Sequence, residues 1–189
     1  MYEFFGNGEV SIEFQLDSSK ENPDIPKIGM TYKIKNEFQN MEWFGRGPVD
    51  DYEDRKSGAF IGTYSGIVKD LFHKYPHPQE NGNHSDTKYM LLTNYNGSGI
   101  LAIGIPSVNV SAWPYSLENI DQALHTNELE NDGNITVNID YKQKGVGGDT
   151  AWDERSRPHP QYRIPSGKYG YRFKLKLFDK KSDTIDSYL

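Results

Sequence analysis

Hydrophobic and polar residues alternate along much of this chain, which predicts strands that each bury one face. The alternation is clearest in residues 9–17, 29–38, 135–141 and 169–178. Shorter apolar segments predict further strands, and they are residues 40–44, 59–64, 89–95, 99–105 and 108–113. An Asn-Gly-Ser turn at residues 96–98 predicts an antiparallel hairpin between two of these runs. Eight to ten strands without a strand–helix rhythm favour an all-β fold, a large antiparallel β-sandwich.

Helical periodicity is confined to one segment in this interpretation. In residues 116–125, Leu117, Ile120 and Leu124 fall on one face, and the first residue is a serine, which is a favourable N-cap. The pattern therefore predicts one short helix there. Residues 65–74 are expected to form only a short connection.

Composition excludes several classes of protein and site. The 189 residues carry a formal net charge of −6 and contain no cysteine. An acidic chain does not provide the basic field that nucleic acid requires, and without thiols neither disulfides nor thiolate metal sites can form. No apolar run has the length of a membrane span, so no membrane partner is expected. We predict a single domain over residues 1–189, with a polar tail that frays after Asp179.

A long polar loop, residues 75–89, contains two prolines, two histidines and an Asn-Gly pair, and it has no aliphatic side chain. We call this segment the polar loop. Two interpretations stay open from these residues. One is a solvated connection between strands, and the other is the polar wall of a sugar-binding cleft.

Charged side chains suggest metal sites only weakly. Residues 49–56 contain four acids, but a solvated turn with local ion pairs is the favoured interpretation over a cation site. The five histidines lack the spacing of a helical zinc motif, so no metal site is predicted in this chain. His125 and Glu128 are expected to form a local capping or ion pair.

A glycine-rich stretch, residues 145–148, leads to a tryptophan with acidic neighbours. Asp149 and Asp153 flank Trp152 in an otherwise polar loop. An exposed indole offers a sugar its flat apolar face, and carboxylates accept hydrogen bonds from hydroxyl groups. The same ring would also pack well if it were folded onto the core, and the residues alone leave both alternatives open.

Several motifs in order resemble one known family. These are W-F-G-R-G-P at residues 43–48, Y-E-D-R at 52–55, Q-E-N-G at 79–82, His125 with Glu128–Leu129, and G-G-D-T-A-W at 147–152. They are similar to the C-terminal, small-chain domain of LacZ-type β-galactosidases of glycoside hydrolase family two. The resemblance covers roughly residues 26–178.

The resemblance implies a sandwich like that of galactose mutarotases, and an enzyme that hydrolyses β-D-galactosides with retention. The family's catalytic glutamates lie on a separate barrel domain, and its magnesium and sodium are expected in the parent enzyme rather than here. The family's G-G-D-x-x-W tryptophan stacks on the sugar, and this position is Trp152, with Asp149 and the adjacent glycines expected to position the ring. The polar loop, with Glu80, Asn81 and His84, is then expected to fix the sandwich and its contact with the barrel.

The resemblance also implies partners and a division of labour. No catalytic residue is predicted in this chain, and Trp152 and Asp149 are the predicted substrate contacts. We expect a fragment that lacks the first part of its domain, is inactive alone, and works with the remaining domains or large chain of a homo-oligomeric β-galactosidase on a galactoside. The cytoplasm is favoured over the periplasm. Alternatives are a stand-alone carbohydrate-binding or assembly module and, less favoured, an aldose mutarotase.

Overall fold

Antiparallel strands carry the fold in the computed structural model, which describes residues 1–18 and 24–188. Within these residues nine strands form one branched sheet. They are β1 (Tyr2–Phe4), β2 (Glu9–Asp17), β3 (Lys27–Lys35), β4 (Asn40–Gly47), β5 (Phe60–Ile67), β6 (His84–Thr93), β7 (Ser98–Trp113), β8 (Asn134–Gln143) and β9 (Lys168–Asp179). The predicted all-β antiparallel architecture is confirmed, as is the hairpin, which joins β6 to β7.

The sheet divides at β7 into two arms. The first half of β7, from Ser98 to Ile105, pairs with β9, and its second half, from Asn109 to Trp113, pairs with β8. One arm continues from β9 to β2 and β1, and the other continues from β8 to β3. On the opposite edge of β7 lie β6, β4 and β5 in that order. The two arms give the sheet its open, sandwich-like shape.

The main core lies between these arms. Buried side chains of β2 and β9 meet those of β3 and β8 in a single cluster, together with residues from β4, β6 and β7. Its fully buried members include Trp43, Leu92, Val110, Ile135 and Ile139. The apolar residues of the alternating segments are therefore mainly those whose side chains point into the space between the arms.

The predicted helix forms but is shorter than expected. It is α2 (Leu117–Gln122), and the Ser116 side chain caps it by accepting a hydrogen bond from the Asn119 amide. The chain leaves the helix at Ala123 because the Glu128 carboxylate accepts from the Leu124 amide at 2.8 Å, in place of a further helical turn. His125 Nδ1 lies 3.2 Å from the same carboxylate, so the predicted local pair is confirmed.

Two further predictions about local structure were wrong. The connection at residues 65–74 contains a second helix, α1 (Val68–Leu71), which is too short to leave a helical period in the sequence. Val68 is fully buried and anchors it. The tail does not fray at residues 179–188, because Ile185 and Tyr188 pack on an apolar cluster formed by β6, β7 and Phe178.

Candidate functional site

Trp152 lies on the long connection between β8 and β9, residues 144–167, which we call the tryptophan loop. Its side chain is 89% exposed, whereas Trp43 and Trp113 are each 1% exposed in the core. The alternative in which the ring folds onto the core is therefore wrong. The exposed indole leaves a flat apolar face open to solvent.

The base of the tryptophan loop is held by close backbone contacts. The Gly145 amide donates to the Tyr162 carbonyl at 2.8 Å, and the Asp149 amide donates to the Arg155 carbonyl at 2.7 Å. A Cβ atom at Gly148 would lie 2.2 Å from the Arg155 carbonyl oxygen. The glycine is required there because the two segments of the loop approach too closely for any side chain.

Polar side chains around Trp152 bond mainly to one another. Asp153 Oδ2 accepts from Arg155 Nη2 at 2.6 Å, and its Oδ1 accepts from the Thr150 hydroxyl at 2.6 Å. These bonds, that from Arg155 above all, lower the pKa of Asp153 to about 2, so the carboxylate is charged at any physiological pH. Asp153 therefore stabilises the tryptophan loop through local hydrogen bonds, and the Trp152 ring beside it remains in solvent.

Asp149 is exposed, and its carboxylate already has a partner. Asp149 Oδ1 lies 2.8 Å from His159 Nε2, across the tryptophan loop. This contact ties the segment before Trp152 to the segment after it. The predicted roles of Asp149 and Trp152 as substrate contacts remain predictions, and the structure brings both onto the same exposed loop.

Asp54 is a residue of this site that the sequence analysis missed. Its Oδ2 atom accepts from the amides of Val146 at 3.0 Å and Gly147 at 2.7 Å. The motif Y-E-D-R at residues 52–55 carries part of the family resemblance, and the sequence predicts that it belongs to a solvated charged turn. A contact between residues so far apart leaves no periodic signal in a single sequence, so only the motif itself pointed to it.

The charged segment that contains Asp54 is also more buried than expected. Asp51 is 0% exposed and Tyr52 is 6% exposed. Asp51 accepts hydrogen bonds from the amide and hydroxyl of Ser85, while burial raises its pKa above the usual range. The prediction of a solvated turn at residues 49–56 is therefore wrong for Asp51 and Tyr52, because Asp51 finds its partners in the polar loop. The predicted local ion pairs do form, between Lys56 and Glu53 at 2.9 Å and between Arg55 and Asp50 at 3.6 Å.

The polar loop turns its second half inward and forms no open wall, and its last six residues, 84–89, are the start of strand β6. Asn81, Asn83 and His84 are between 1% and 2% exposed. The Asn81 amide group bonds the backbone of His73 and Gln79 at 2.8 to 3.0 Å. The hypothesis of a polar wall of a sugar cleft is wrong for these side chains.

His84 is held neutral within the core. Its ring stacks on Trp43 with the ring centroids 4.0 Å apart, and burial lowers its pKa to about 4. Glu80, at the exposed rim of the polar loop, pairs with Lys27 of β3 at 2.8 Å. These contacts agree with the expectation that the polar loop fixes the sandwich.

Across residues 1–18 and 24–188, no three His, Asp or Glu side chains are arranged to hold a metal ion. Over the same ranges, none of the helices has the length and apolar character needed to cross a membrane.

The order of the motifs agrees with a comparison against known families. The sequence profile of the β-galactosidase small chain matches residues 1–177. This chain belongs to the β-galactosidase small-chain family. The match covers all the strands described except the end of β9, and it includes the tryptophan loop and the polar loop.

Relatives of this small-chain protein are β-galactosidases of several bacteria. A β-galactosidase of Priestia megaterium is 38% identical over 93% of this chain, and the match covers 17% of that enzyme. Those of Pseudoalteromonas haloplanktis and Vibrio cholerae are 32% and 30% identical over 93% of the chain, covering 16% of each enzyme. The chain thus spans about a sixth of the length of these curated relatives.

Proposed function

We propose that this chain completes the active site of a β-galactosidase, in which Trp152 forms an aromatic wall for the aglycone side of the bound galactoside. The observation that carries the proposal is the 89% exposure of a tryptophan whose polar neighbours bond one another. An indole held out in this way offers a flat apolar surface that the face of a sugar ring can cover. Membership of the small-chain family supports the assignment.

The proposal assigns the chemistry of bond cleavage to other domains. Retaining hydrolysis requires two carboxyl groups about 5 Å apart on either side of the scissile bond. We place that pair, and the magnesium and sodium of the enzyme, outside this chain. The chain alone is therefore expected to bind a terminal β-D-galactoside weakly and to hydrolyse none.

Asp149 is proposed as a secondary contact with the substrate. Its carboxylate is exposed and has one oxygen engaged by His159 at 2.8 Å. The second oxygen is available to accept a hydrogen bond from a sugar hydroxyl. His159 would then hold the carboxylate in place while the sugar covers Trp152.

The experiment compares two exposed aromatic residues in a reconstituted enzyme. The chain is mixed with a Priestia megaterium β-galactosidase truncated before its matching segment, and hydrolysis of a chromogenic β-galactoside is followed. Trp152→Ala is expected to lower kcat/KM about tenfold or more, which corresponds to ~1.4 kcal/mol of lost stabilisation. Tyr95→Ala, which removes a ring that is 91% exposed on the β6–β7 turn, is the matched control and is expected to change nothing.

Two outcomes would contradict the proposal. Equal kinetic constants for Trp152→Ala and the unmodified chain would show that Trp152 makes no contact with the sugar that contributes to catalysis. Turnover by the chain alone that survives purification would show that the carboxylate pair lies within it.

A second candidate, a stand-alone carbohydrate-binding module, rests on the same exposed ring. It differs in requiring no catalytic partner. Two measurements together separate the two candidates. The first is a titration of the isolated chain with methyl β-D-galactoside, followed by tryptophan fluorescence, and the second is the reconstitution experiment. Tight binding with no effect on a truncated enzyme would favour the module.

A further inference from the structure

We propose that Asp54 is a positioning residue that fixes the tryptophan loop and thereby the orientation of Trp152 toward a galactoside. The inference rests on the proposed function, because it assigns to Asp54 the support of the same sugar contact. It links Y-E-D-R to G-G-D-T-A-W, because Asp54 and Gly147 are 93 residues apart in the chain and bonded in the fold.

The contact is made by one carboxylate oxygen and two successive backbone amides. Asp54 Oδ2 accepts from Val146 at 3.0 Å and from Gly147 at 2.7 Å. Successive amides that point to one side form a concavity that binds an anion, and here a side chain of the same protein fills it. Hydrogen bonds to an ionised acceptor are stronger than those between neutral groups.

Close packing leaves the carboxylate little freedom to move. A Cβ atom at Gly145 would lie 2.9 Å from Asp54 Cγ and 2.9 Å from Tyr162 Cβ. The Asp54 carboxyl group therefore lies directly against the backbone at the start of the glycine-rich stretch. Only a residue without a side chain allows this approach at Gly145.

The backbone that carries Asp54 is itself anchored in the buried part of the protein. The Asp51 amide donates to the Asn83 carbonyl at 2.8 Å, and Asn83 Nδ2 donates to the Asp51 carbonyl at 2.8 Å. The Arg55 amide donates to the Tyr52 carbonyl at 2.9 Å, which closes a turn around Asp54. Contacts therefore run from the polar loop through Asp54 to the base of the tryptophan loop.

Loss of the carboxylate is expected to loosen the loop without unfolding the protein. The Val146 and Gly147 amides would bond to water, since both residues are exposed. Trp152 would then sample more orientations before binding, and the galactoside would have to order the loop. Ordering a segment on binding weakens affinity even though every direct contact is retained.

The experiment uses the full chain and four substitutions, of which Trp152→Phe supplies the background fluorescence. Asp54→Ala removes the acceptor, Asp54→Asn keeps an amide oxygen in its place, and Glu53→Ala removes the neighbouring carboxylate, which bonds Lys56 at 2.9 Å instead of the tryptophan loop. Time-resolved fluorescence anisotropy reports the motion of Trp152, after subtraction of the Trp152→Phe signal, which comes from the two buried tryptophans. Titration with methyl β-D-galactoside measures recognition.

Asp54→Ala is expected to increase the fast motion of Trp152 and to weaken galactoside affinity about tenfold, as the loss of a charge-assisted bond predicts. Asp54→Asn is expected to lie between Asp54→Ala and the unmodified chain, and Glu53→Ala to match the unmodified chain. If Asp54→Ala does not fold, a roughly threefold loss of affinity in Asp54→Asn supports the inference, and unchanged motion and affinity there overturn it.

The two proposals fail in different ways. Unchanged anisotropy in a folded Asp54→Ala variant overturns the positioning role, whether or not the galactoside affinity changes. Greater motion with unchanged galactoside affinity overturns the link to recognition. If Trp152→Ala leaves kcat/KM of the reconstituted enzyme unchanged while Asp54→Ala loosens Trp152, the proposed function fails and the positioning of the ring by Asp54 stands.

Discussion

The polar loop and the tryptophan loop are similar in composition and opposite in structure. Both are long, polar and rich in residues that favour turns. The second half of the polar loop is buried, with Asn81 2% exposed, whereas the tryptophan loop holds Trp152 in solvent at 89% exposure. Composition alone therefore does not show which of two polar loops presents a surface and which forms part of the core.

The difference lies in where each loop finds its hydrogen-bond partners. The polar loop bonds distant segments, since the Asn81 carbonyl accepts from Trp113 Nε1 at 2.7 Å and Asn83 bonds Asp51. Most bonds in the tryptophan loop are local, such as those of Asp153 with Arg155 and Thr150. Asp54 is one of the distant partners that anchor the tryptophan loop, and the Pro26 carbonyl, which accepts from the Lys144 amide at 3.0 Å, is another.

The largest expected effect concerns Asp140, a buried carboxyl of β8 near the Lys27–Glu80 pair. Burial raises its pKa from 3.8 to about 7, although Lys27 and Gln143 act in the opposite direction. Between these values the folded state keeps a proton that the unfolded state loses, so stability falls as pH rises. Relative to Asp140→Asn, the free energy of unfolding should fall by about 4 kcal/mol between pH 4 and pH 8.

Urea titrations at a series of pH values measure this dependence. His84 acts in the opposite sense, because its pKa falls from 6.5 to about 4 on burial, and the Asp140→Asn variant keeps that contribution. The difference between the two proteins therefore isolates Asp140. Parallel curves across this range would show that Asp140 is ionised in the folded state.

The second effect tests the buried polar loop directly. Asn81→Ala removes one acceptor and one amide that bond the backbone of His73 and Gln79. Buried backbone groups then lose their partners, and we expect a loss of about 3 kcal/mol in the free energy of unfolding. Asn96→Ala, on the exposed β6–β7 turn, is the control and should stay within about 0.5 kcal/mol. Equal effects would contradict the contrast between the loops.

The third effect tests the packing of the tryptophan loop with two adjacent glycines. A Cβ at Gly148 would lie 2.2 Å from a backbone oxygen of Arg155, whereas one at Gly147 would lie at an ordinary 3.6 Å from Asp54. Gly148→Ala is expected to cost about 1–3 kcal/mol or to displace the loop, and Gly147→Ala to cost almost nothing. Chemical denaturation and Trp152 fluorescence measure both effects. A similar response in the two variants would show that the loop is not packed closely at Gly148.

Much of the fold followed from local pattern, because a strand buried on one face records that face in its own residues. The alternation in β2, β3 and β9 and the Asn-Gly turn before β7 are examples. Helix α1 was missed because four residues are too few to show a period. Asp51 was misplaced because its burial depends on Ser85, which lies 34 residues away.

The candidate site was predictable only in part for the same reason. Trp152 was found through a motif, and the residues alone did not decide between an exposed and a buried ring. The contact of Asp54 with Gly147 spans 93 residues and has no local signature. A single sequence records the partner of a side chain only when that partner is near in the chain.

The smallest expected effect separates the roles of two tryptophans by the same substitution. Trp113→Phe removes the indole N–H that donates to the Asn81 carbonyl at 2.7 Å in the buried polar loop, and a loss of about 1–3 kcal/mol is expected. Trp152→Phe changes a ring that is 89% exposed, so the free energy of unfolding should change by less than about 0.5 kcal/mol. Urea denaturation followed by far-ultraviolet circular dichroism measures both, because that signal does not depend on the substituted fluorophore. A clear destabilisation by Trp152→Phe would mean that the ring packs on the protein, and it would then have no free face for a sugar.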